Sequence, residues 1–183
     1  MLTPIAEDVE PGPDDLVHIF PGPLRASLRR FGLDDVQSQR FFDLHSAAMR
    51  GRADDVHLFA PVADILLELP FNRRAIVTSA YSEAVRSVLK RCRFGSVEVQ
   101  VFGRELHLPK SEKFRRMAKD NDIALDAVVK IGDMVSDILY ARDAGISMWA
   151  VGWGYHPLSY LAAFGPDECF ETPSQLRARI MEV

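Results

Sequence analysis

The sequence has few of the features that mark several common classes of protein. Its 183 residues include only two cysteines, Cys92 and Cys169, and neither has a second cysteine at the spacing of a metal ligand. We therefore expect buried free thiols in a reducing compartment. Basic residues are not in excess, since 22 Lys and Arg stand against 26 Asp and Glu, so we expect no nucleic-acid partner.

Long apolar runs are lacking as well. No run approaches the roughly 20 residues that are needed to cross a bilayer, and the first residues have neither the basic start nor the apolar stretch of a secretory signal. We therefore expect a cytoplasmic protein with no membrane partner. What the chain does have is an apolar content of 48%, which is enough for the buried core of one domain.

Short β-branched runs alternate with helical patterns from residue 75 onward. The pattern predicts strands at 75–79, 97–101, 127–131 and 147–151, with helices between them and a last helix at 173–182. Such alternation is typical of βαβ units. It predicts an α/β fold in which a central parallel sheet lies between two layers of helices.

The first seventy residues follow a different pattern. Residues 1–15 are rich in proline and acidic residues, which predicts a flexible lead-in. Residues 16–20 form an apolar run that ends at a Pro-Gly-Pro sequence, which predicts a buried strand. Residues 24–70 then carry the apolar spacing of about three helices.

Two aspartates follow the predicted strand 127–131. Ligands of parallel α/β sheets bind beyond the carboxyl ends of the strands, where Asp133 stands, and Asp137 lies in the first turn of the next helix. Carboxylate oxygens placed together suit Mg²⁺. The alternative is a turn residue followed by an acidic residue that stabilises the helix dipole. For the pair alone we favour this alternative.

Hydroxyl and lysine side chains follow the other strands. Thr78 and Ser79 end the strand 75–79, where a hydroxyl and backbone amides form a cradle for phosphate, or Ser79 only caps the next helix. Lys110 precedes a helix and is either a cation for phosphate or an exposed loop lysine. Lys113 lies inside that helix, where we expect it to face water.

The order of these signals resembles the haloacid dehalogenase-like (HAD) hydrolases, and within them the phosphoglycolate phosphatase-like branch. Thr78 with the strand before it is similar to the second motif of that family, Lys110 to the third, and Gly132-Asp133 through Asp137 to the fourth. The resemblance implies a Rossmannoid three-layer sandwich. Its core would consist of residues 16–23 and 71–183, with residues 24–70 as a small helical cap.

The resemblance also implies roles for individual residues. Thr78 would hydrogen-bond a phosphoryl group with Ser79 beside it, and Lys110 would stabilise the negative charge. Asp133 would ligate Mg²⁺ with support from Asp137. Catalysis would therefore involve Thr78, Lys110 and Asp133, and the substrate would be a small phosphorylated metabolite.

The first motif of the family, Asp-x-Asp-x-Thr, is missing. That motif supplies a nucleophilic aspartate and an acid/base. No Asp-x-Asp occurs before residue 75, and Ile19 and Pro21 stand at the best-matching positions. Because the first strand of the family is central in the sheet, we expect residues 16–20 to fill its place, or a partner chain to supply it. Without the first motif, Mg²⁺ affinity should be weak or absent.

Three functional hypotheses follow. The first is a HAD-like phosphatase fold that is catalytically impaired, a pseudoenzyme that still binds Mg²⁺ or a phosphate-bearing ligand. The second is an active Mg²⁺-dependent phosphomonoesterase similar to phosphoglycolate phosphatase. The third is a non-catalytic, partner-binding subunit of a homo- or hetero-oligomer. The missing nucleophile favours a non-catalytic protein, whereas the presence of Thr78, Lys110, Asp133 and Asp137 together favours a surviving use of the site.

Overall fold

The computed structural model describes residues 24–51, 55–56, 58–91 and 98–183. The predicted lead-in at 1–15 and the predicted first strand at 16–20 lie outside the described residues. Among the described residues, no helix is both long and apolar enough to cross a membrane.

Eight α-helices are formed in the described part of the chain. They are α1 (Leu24–Arg30), α2 (Asp35–Gly51), α3 (Ala60–Glu68), α4 (Ser82–Arg91), α5 (Lys110–Asp120), α6 (Val135–Ala144), α7 (Leu158–Ala162) and α8 (Pro173–Ile180). Local sequence explains two of their ends. Gly145 adopts a left-handed conformation that ends α6. Thr172 and Gln175 form a capping box that begins α8.

Five strands are formed in the same part of the chain. They are β1 (Ala75–Val77), β2 (Gln100–Phe102), β3 (Val129–Gly132), β4 (Ser147–Val151) and β5 (Glu168–Phe170). β1 pairs with β2, and β4 pairs with both β3 and β5, always in parallel. β4 has the predicted bounds, whereas β2 and β3 begin two or three residues later than predicted.

β4 shows how the three layers are built, because its side chains alternate between the two faces of the sheet. Met148 and Ala150 pack with Phe114 of α5 and Ile138 of α6 on one face. Trp149 and Val151 pack on the other face with the side chains of α3 and α8 that face the sheet, which are Ile65, Leu176 and Ile180. The chain is therefore an α/β protein in which helices cover both faces of the parallel sheet β3–β4–β5, and β1 and β2 form a separate two-stranded parallel sheet.

α3 lies in the segment 24–70, which was predicted to form a cap, but its side chains pack into the core. Ile65 is 3% exposed and lies in the same cluster as Trp149. Ala63 packs with Leu89 of α4, beside Ile76 of β1. Full burial of an aliphatic side chain of this size contributes roughly 1.5–3 kcal/mol. The division of the chain into cap and core at residue 70 stays a prediction.

Near the end of the chain, two elements were not predicted and one expectation is wrong. The helix α7 and the strand β5 were not predicted, because each has only three to five residues and little periodicity. Cys169 was expected to be buried, but it is exposed. Phe170 faces the core, and successive side chains of a strand point to opposite sides, so Cys169 points away from it. Cys92 lies outside the described residues.

Candidate functional site

Two lysines of α5 connect the carboxyl ends of β1 and β3. Lys113 Nζ donates a hydrogen bond of 2.7 Å to the carbonyl oxygen of Thr78, directly after β1. Lys110 Nζ donates one of 3.1 Å to Asp137 Oδ1, in the first turn of the helix that follows β3. Residues three apart lie on one face of a helix. α5 therefore brings together the second, third and fourth segments that the sequence singled out.

The backbone around Thr78 is fixed by its neighbours. The Thr78 amide donates to the carbonyl of Phe102 at 3.1 Å, which extends the pairing of β1 with β2. The hydroxyl of Thr78 accepts from the amide of Ala80 at 3.0 Å and holds the turn. Ser79 is exposed beside it. α4 begins only at Ser82, whose amide donates to Glu105 Oε2 at 3.1 Å. The observed cap of this helix is therefore the carboxylate of Glu105.

Lys113 does not face water, and that expectation was wrong. The residue is 3% exposed. Burial lowers the pKa of its ammonium group, while the Glu105 carboxylate opposes this shift and the charges of Lys110 and Arg104 add to it. The bond to the Thr78 carbonyl satisfies one of its three donors at the strand end, and this contact explains how a lysine is accommodated there.

Asp137 is held by two ammonium groups. Its side chain is 5% exposed, and Lys130 Nζ lies 3.6 Å from the same Oδ1 atom that accepts from Lys110. Burial acts to raise the pKa of this carboxyl, but the charges of Lys130 and Lys110 outweigh that effect and lower it. Gly132 permits this arrangement, because a Cβ there would lie 2.5 Å from Asp137 Oδ2. Asp137 is therefore a charged, buried carboxylate.

Asp133 is fixed from the segment that follows β4. Its Oδ2 atom accepts a hydrogen bond of 2.7 Å from the amide of Tyr155, and its backbone carbonyl accepts one of 3.1 Å from the amide of His156. Its side chain also lies directly against Gly154. The carboxylate of Asp133 thus stands beyond the end of β3, as the sequence predicted, with one oxygen committed to the protein backbone.

His156 connects the segment after β4 to the start of α6. It is completely buried, and its Nδ1 atom accepts a hydrogen bond of 3.2 Å from the amide of Val135 at the start of α6. One side chain therefore satisfies an otherwise unpaired amide at the helix start and ties it to the segment after β4.

The described residues do not fit Mg²⁺ by themselves. Mg²⁺ requires a set of hard oxygen ligands in near-octahedral geometry. Among the described residues, no group of three or more His, Cys, Asp or Glu side chains is placed to hold a metal ion. Asp137 already faces two ammonium groups, which would repel a bound Mg²⁺. Two like unit charges about 4 Å apart near a protein surface repel by about 4 kcal/mol. The metal roles of Asp133 and Asp137 stay predictions.

Sequence reasoning missed one lysine at the site and misplaced another. Lys130 was not considered, although a lysine inside the apolar run of β3 is itself a signal. It lies two residues before Gly132 and so on the same face of the strand. Lys113 was considered and misplaced, although its spacing from Lys110 puts both on one helix face. The positions of both lysines depend on tertiary contacts, which Lys130 makes with Asp137 and Lys113 makes with the carbonyl of Thr78.

The fold and the position of its polar residues define the class of protein. This is a parallel α/β protein whose polar residues converge at the carboxyl ends of its strands, where this class of fold binds ligands. The sequence pattern of the haloacid dehalogenase-like hydrolases matches residues 5–151, which is most of the chain. The chain belongs to the haloacid dehalogenase-like hydrolase family.

Known proteins agree with that assignment. The phosphoglycolate phosphatase of Synechococcus elongatus is 27% identical over 161 residues, which cover 87% of this chain and 76% of that protein. A haloacid dehalogenase-like family hydrolase from Streptococcus pneumoniae has a similar structure, with a TM-score of 0.73 and 19% identity over 94% of this chain and 83% of that one. A hydrolase from Pseudomonas syringae aligns with a TM-score of 0.71 and 20% identity, over 87% and 76% of the two chains. The structural matches establish the HAD-like, Rossmannoid three-layer fold.

Proposed function

We propose that this protein binds a small phosphorylated metabolite at the carboxyl ends of β1 and β3, and that its hydrolytic activity is impaired. The observation that carries the binding is the placement of Lys110 and Lys113 on one face of α5, one at each strand end. The impairment rests on the sequence, in which no Asp-x-Asp precedes residue 75. A phosphoryl transfer through an aspartyl intermediate needs such a nucleophile.

The lysines of α5 and the turn after β1 would both take part in binding the ligand. An ammonium group attracts phosphate as a point charge with three donors, and the Lys110 side chain is 18% exposed, so its charge can act on a ligand beside it. Lys113 holds the carbonyl of Thr78 and with it the turn that carries the Thr78 hydroxyl and Ser79. Thr78 would then supply its hydroxyl, and Ser79 its hydroxyl and amide, as donors to the phosphate oxygens.

Calorimetric titration with inorganic phosphate tests the binding. We expect measurable binding to the wild-type protein and about tenfold or greater weakening in Lys110→Met, because a charge-assisted hydrogen bond contributes roughly 1.5–3 kcal/mol. Lys119→Met is the matched control, since Lys119 is an exposed lysine of the same helix. Equal loss in both variants, or no binding to the wild type, would reject the proposed site.

A second candidate is an active Mg²⁺-dependent phosphomonoesterase. The similarity to the Synechococcus elongatus phosphoglycolate phosphatase over 87% of the chain favours it. Mg²⁺ would supply charge neutralisation for the phosphate, and Asp133 is the residue that would hold it. Hydrolysis of 2-phosphoglycolate and of an aryl phosphate is the test, with Asp133→Asn as the control. Turnover that the Asp133→Asn change abolishes would establish this candidate in place of the impaired protein.

A further inference from the structure

Lys130 reaches the site along the surface of its own strand. Lys130 and Gly132 point to the same face of β3, because side chains of a strand alternate. Gly132 has no side chain, and Asp137 fills the space where its Cβ would be. The long side chain of Lys130 therefore extends toward the carboxyl end of β3 and meets Asp137 there, with only 17% of it exposed.

The ammonium group of Lys130 is held in place from several sides. It donates a hydrogen bond of 2.6 Å to the carbonyl of Ile131 and lies 3.6 Å from Asp137 Oδ1. Burial lowers the pKa of this ammonium group, while the charges of Asp137 and, to a smaller extent, Asp133 oppose that shift and the charge of Lys110 adds to it. These are the two carboxylates that the family resemblance assigns to Mg²⁺. For Asp137, the ammonium groups of Lys110 and Lys130 lie 3.1 Å and 3.6 Å from the same Oδ1 atom.

A divalent ion and these ammonium groups would compete for the same oxygens. Mg²⁺ gives up its water reluctantly and binds where negative charge is in excess. Asp137 offers no such excess, since two positive groups already share one of its oxygen atoms. Removal of Lys130 would leave the pair Asp133 and Asp137 with one cation fewer, which is the condition under which a metal ion binds better.

We propose that Lys130 is a built-in cation that takes the place of Mg²⁺ beside Asp133 and Asp137, so that the site binds phosphate without a divalent metal. The inference deepens the proposed function and rests on it for the phosphate, while the competition between Lys130 and the metal stands on its own. Lys130 acts here as a positioning residue, because it faces the carboxylate of Asp137 rather than the ligand.

Metal binding is the first test, and it does not depend on phosphate. Mg²⁺ is titrated calorimetrically, and Mn²⁺ is followed by electron paramagnetic resonance, into the wild type and into Lys130→Met. We expect the variant to bind either ion at least tenfold more tightly than the wild type, because a like charge has been removed. Lys119→Met should bind like the wild type. Equal affinity in Lys130→Met and the wild type would overturn the proposal.

Phosphate binding is the second test, carried out with a chelator or with Mg²⁺ present. We expect the wild type to bind phosphate equally well in both conditions, and Lys130→Met to bind it weakly with chelator and to recover with Mg²⁺. A wild type that needs Mg²⁺ overturns the inference about Lys130 but leaves the proposed function intact. A wild type that binds no phosphate in either condition rejects the proposed function, and the metal titrations then decide about Lys130 alone.

A second variant is needed in case Lys130→Met does not fold, because this change removes a partner of a buried carboxylate. Lys130→Gln keeps a donor for the carbonyl of Ile131 while it removes the charge. Circular dichroism identifies the variant that remains folded, and the same metal titration on Lys130→Gln carries the same expected result. A folded Lys130→Gln with the metal affinity of the wild type would overturn the proposal as well.

Discussion

Gly154 lies against Asp133 so closely that a Cβ on the glycine would stand 2.1 Å from Asp133 Oδ2 and 2.2 Å from its Cβ. The amide of the next residue, Tyr155, donates to the same carboxylate oxygen. The segment after β4 therefore forms one wall of the site and fixes the carboxylate that follows β3. Only a residue without a side chain permits that contact.

Gly154→Ala should push Asp133 out of position and destabilise the fold. Overpacking of this kind costs roughly 1–3 kcal/mol, and the free energy of unfolding in urea measures it. Phosphate affinity should also change, because the Tyr155 amide can no longer reach the carboxylate at 2.7 Å. Gly145→Ala is the control, since Gly145 has a φ of +75° and nothing within 4 Å of its Cβ position. It should lose stability through backbone strain alone and keep its phosphate affinity.

Burial of Lys113 predicts an unusual dependence of stability on alkaline pH. Burial lowers the pKa of its ammonium group in the folded state, so between that pKa and the higher unfolded value the unfolded chain binds more protons. The free energy of unfolding of the wild type, relative to Lys113→Met, should therefore rise as the pH rises through that window and level off above about 10.4. Urea unfolding of both proteins from neutral pH to pH 10.5 measures it. A difference that stays constant with pH would contradict the lowered pKa of the buried Lys113.

Glu105 should make a contribution to stability that is lost in acid. Burial acts to raise the pKa of its carboxyl, but the hydrogen bonds from the side chain and amide of Ser82 outweigh this and lower it. The contribution is therefore complete above the unfolded value of about 4.3 and disappears as the pH falls through the lower folded value. Glu105→Gln should lower the melting temperature at pH 7 and have little effect at the lowest pH at which the protein still folds. Glu112→Gln, at an exposed glutamate of α5, should show no such difference.

Arg104 should link α2 to the loop that carries the phosphate-binding candidates. Its guanidinium lies 5.4 Å from the ring centre of Phe42 and 5.6 Å from that of Tyr81, and its amide donates to the carbonyl of Ala80. Cation–π contacts at such sites contribute about 0.5–1 kcal/mol each. Arg104→Met should therefore speed hydrogen exchange in α2 while exchange in α8 stays unchanged.

Arg116→Met is the control for that experiment, because Arg116 pairs only along its own helix with Asp120 in the contacts described. It should leave exchange in α2 as it is in the wild type. Equal protection of α2 in Arg104→Met and the wild type would show that the segment 24–70 is held by other contacts.

Much of the fold could be predicted from local pattern. The apolar run of β4 gave its bounds correctly, and Gly145 marked the end of α6, because both depend on neighbouring residues only. β5 could not be found, since three residues carry too little periodicity and the strand is stabilised by its pairing with β4. The exposure of Cys169 follows from that same pairing. Short elements of this kind are decided by their partners.

The candidate site, like the fold, has features that follow from the sequence and features that follow only from the tertiary structure. The sequence by itself determined that hydroxyl, lysine and carboxylate groups follow successive strands, and the alternation of strands and helices predicted that they lie at the carboxyl ends of parallel strands. Only the tertiary structure decided which atoms meet. Lys113 bonds to Thr78 and Lys130 faces Asp137, although 35 and seven residues separate the partners in sequence. A buried charge takes its state from the groups packed around it, and those groups are brought together by folding and not by proximity along the chain.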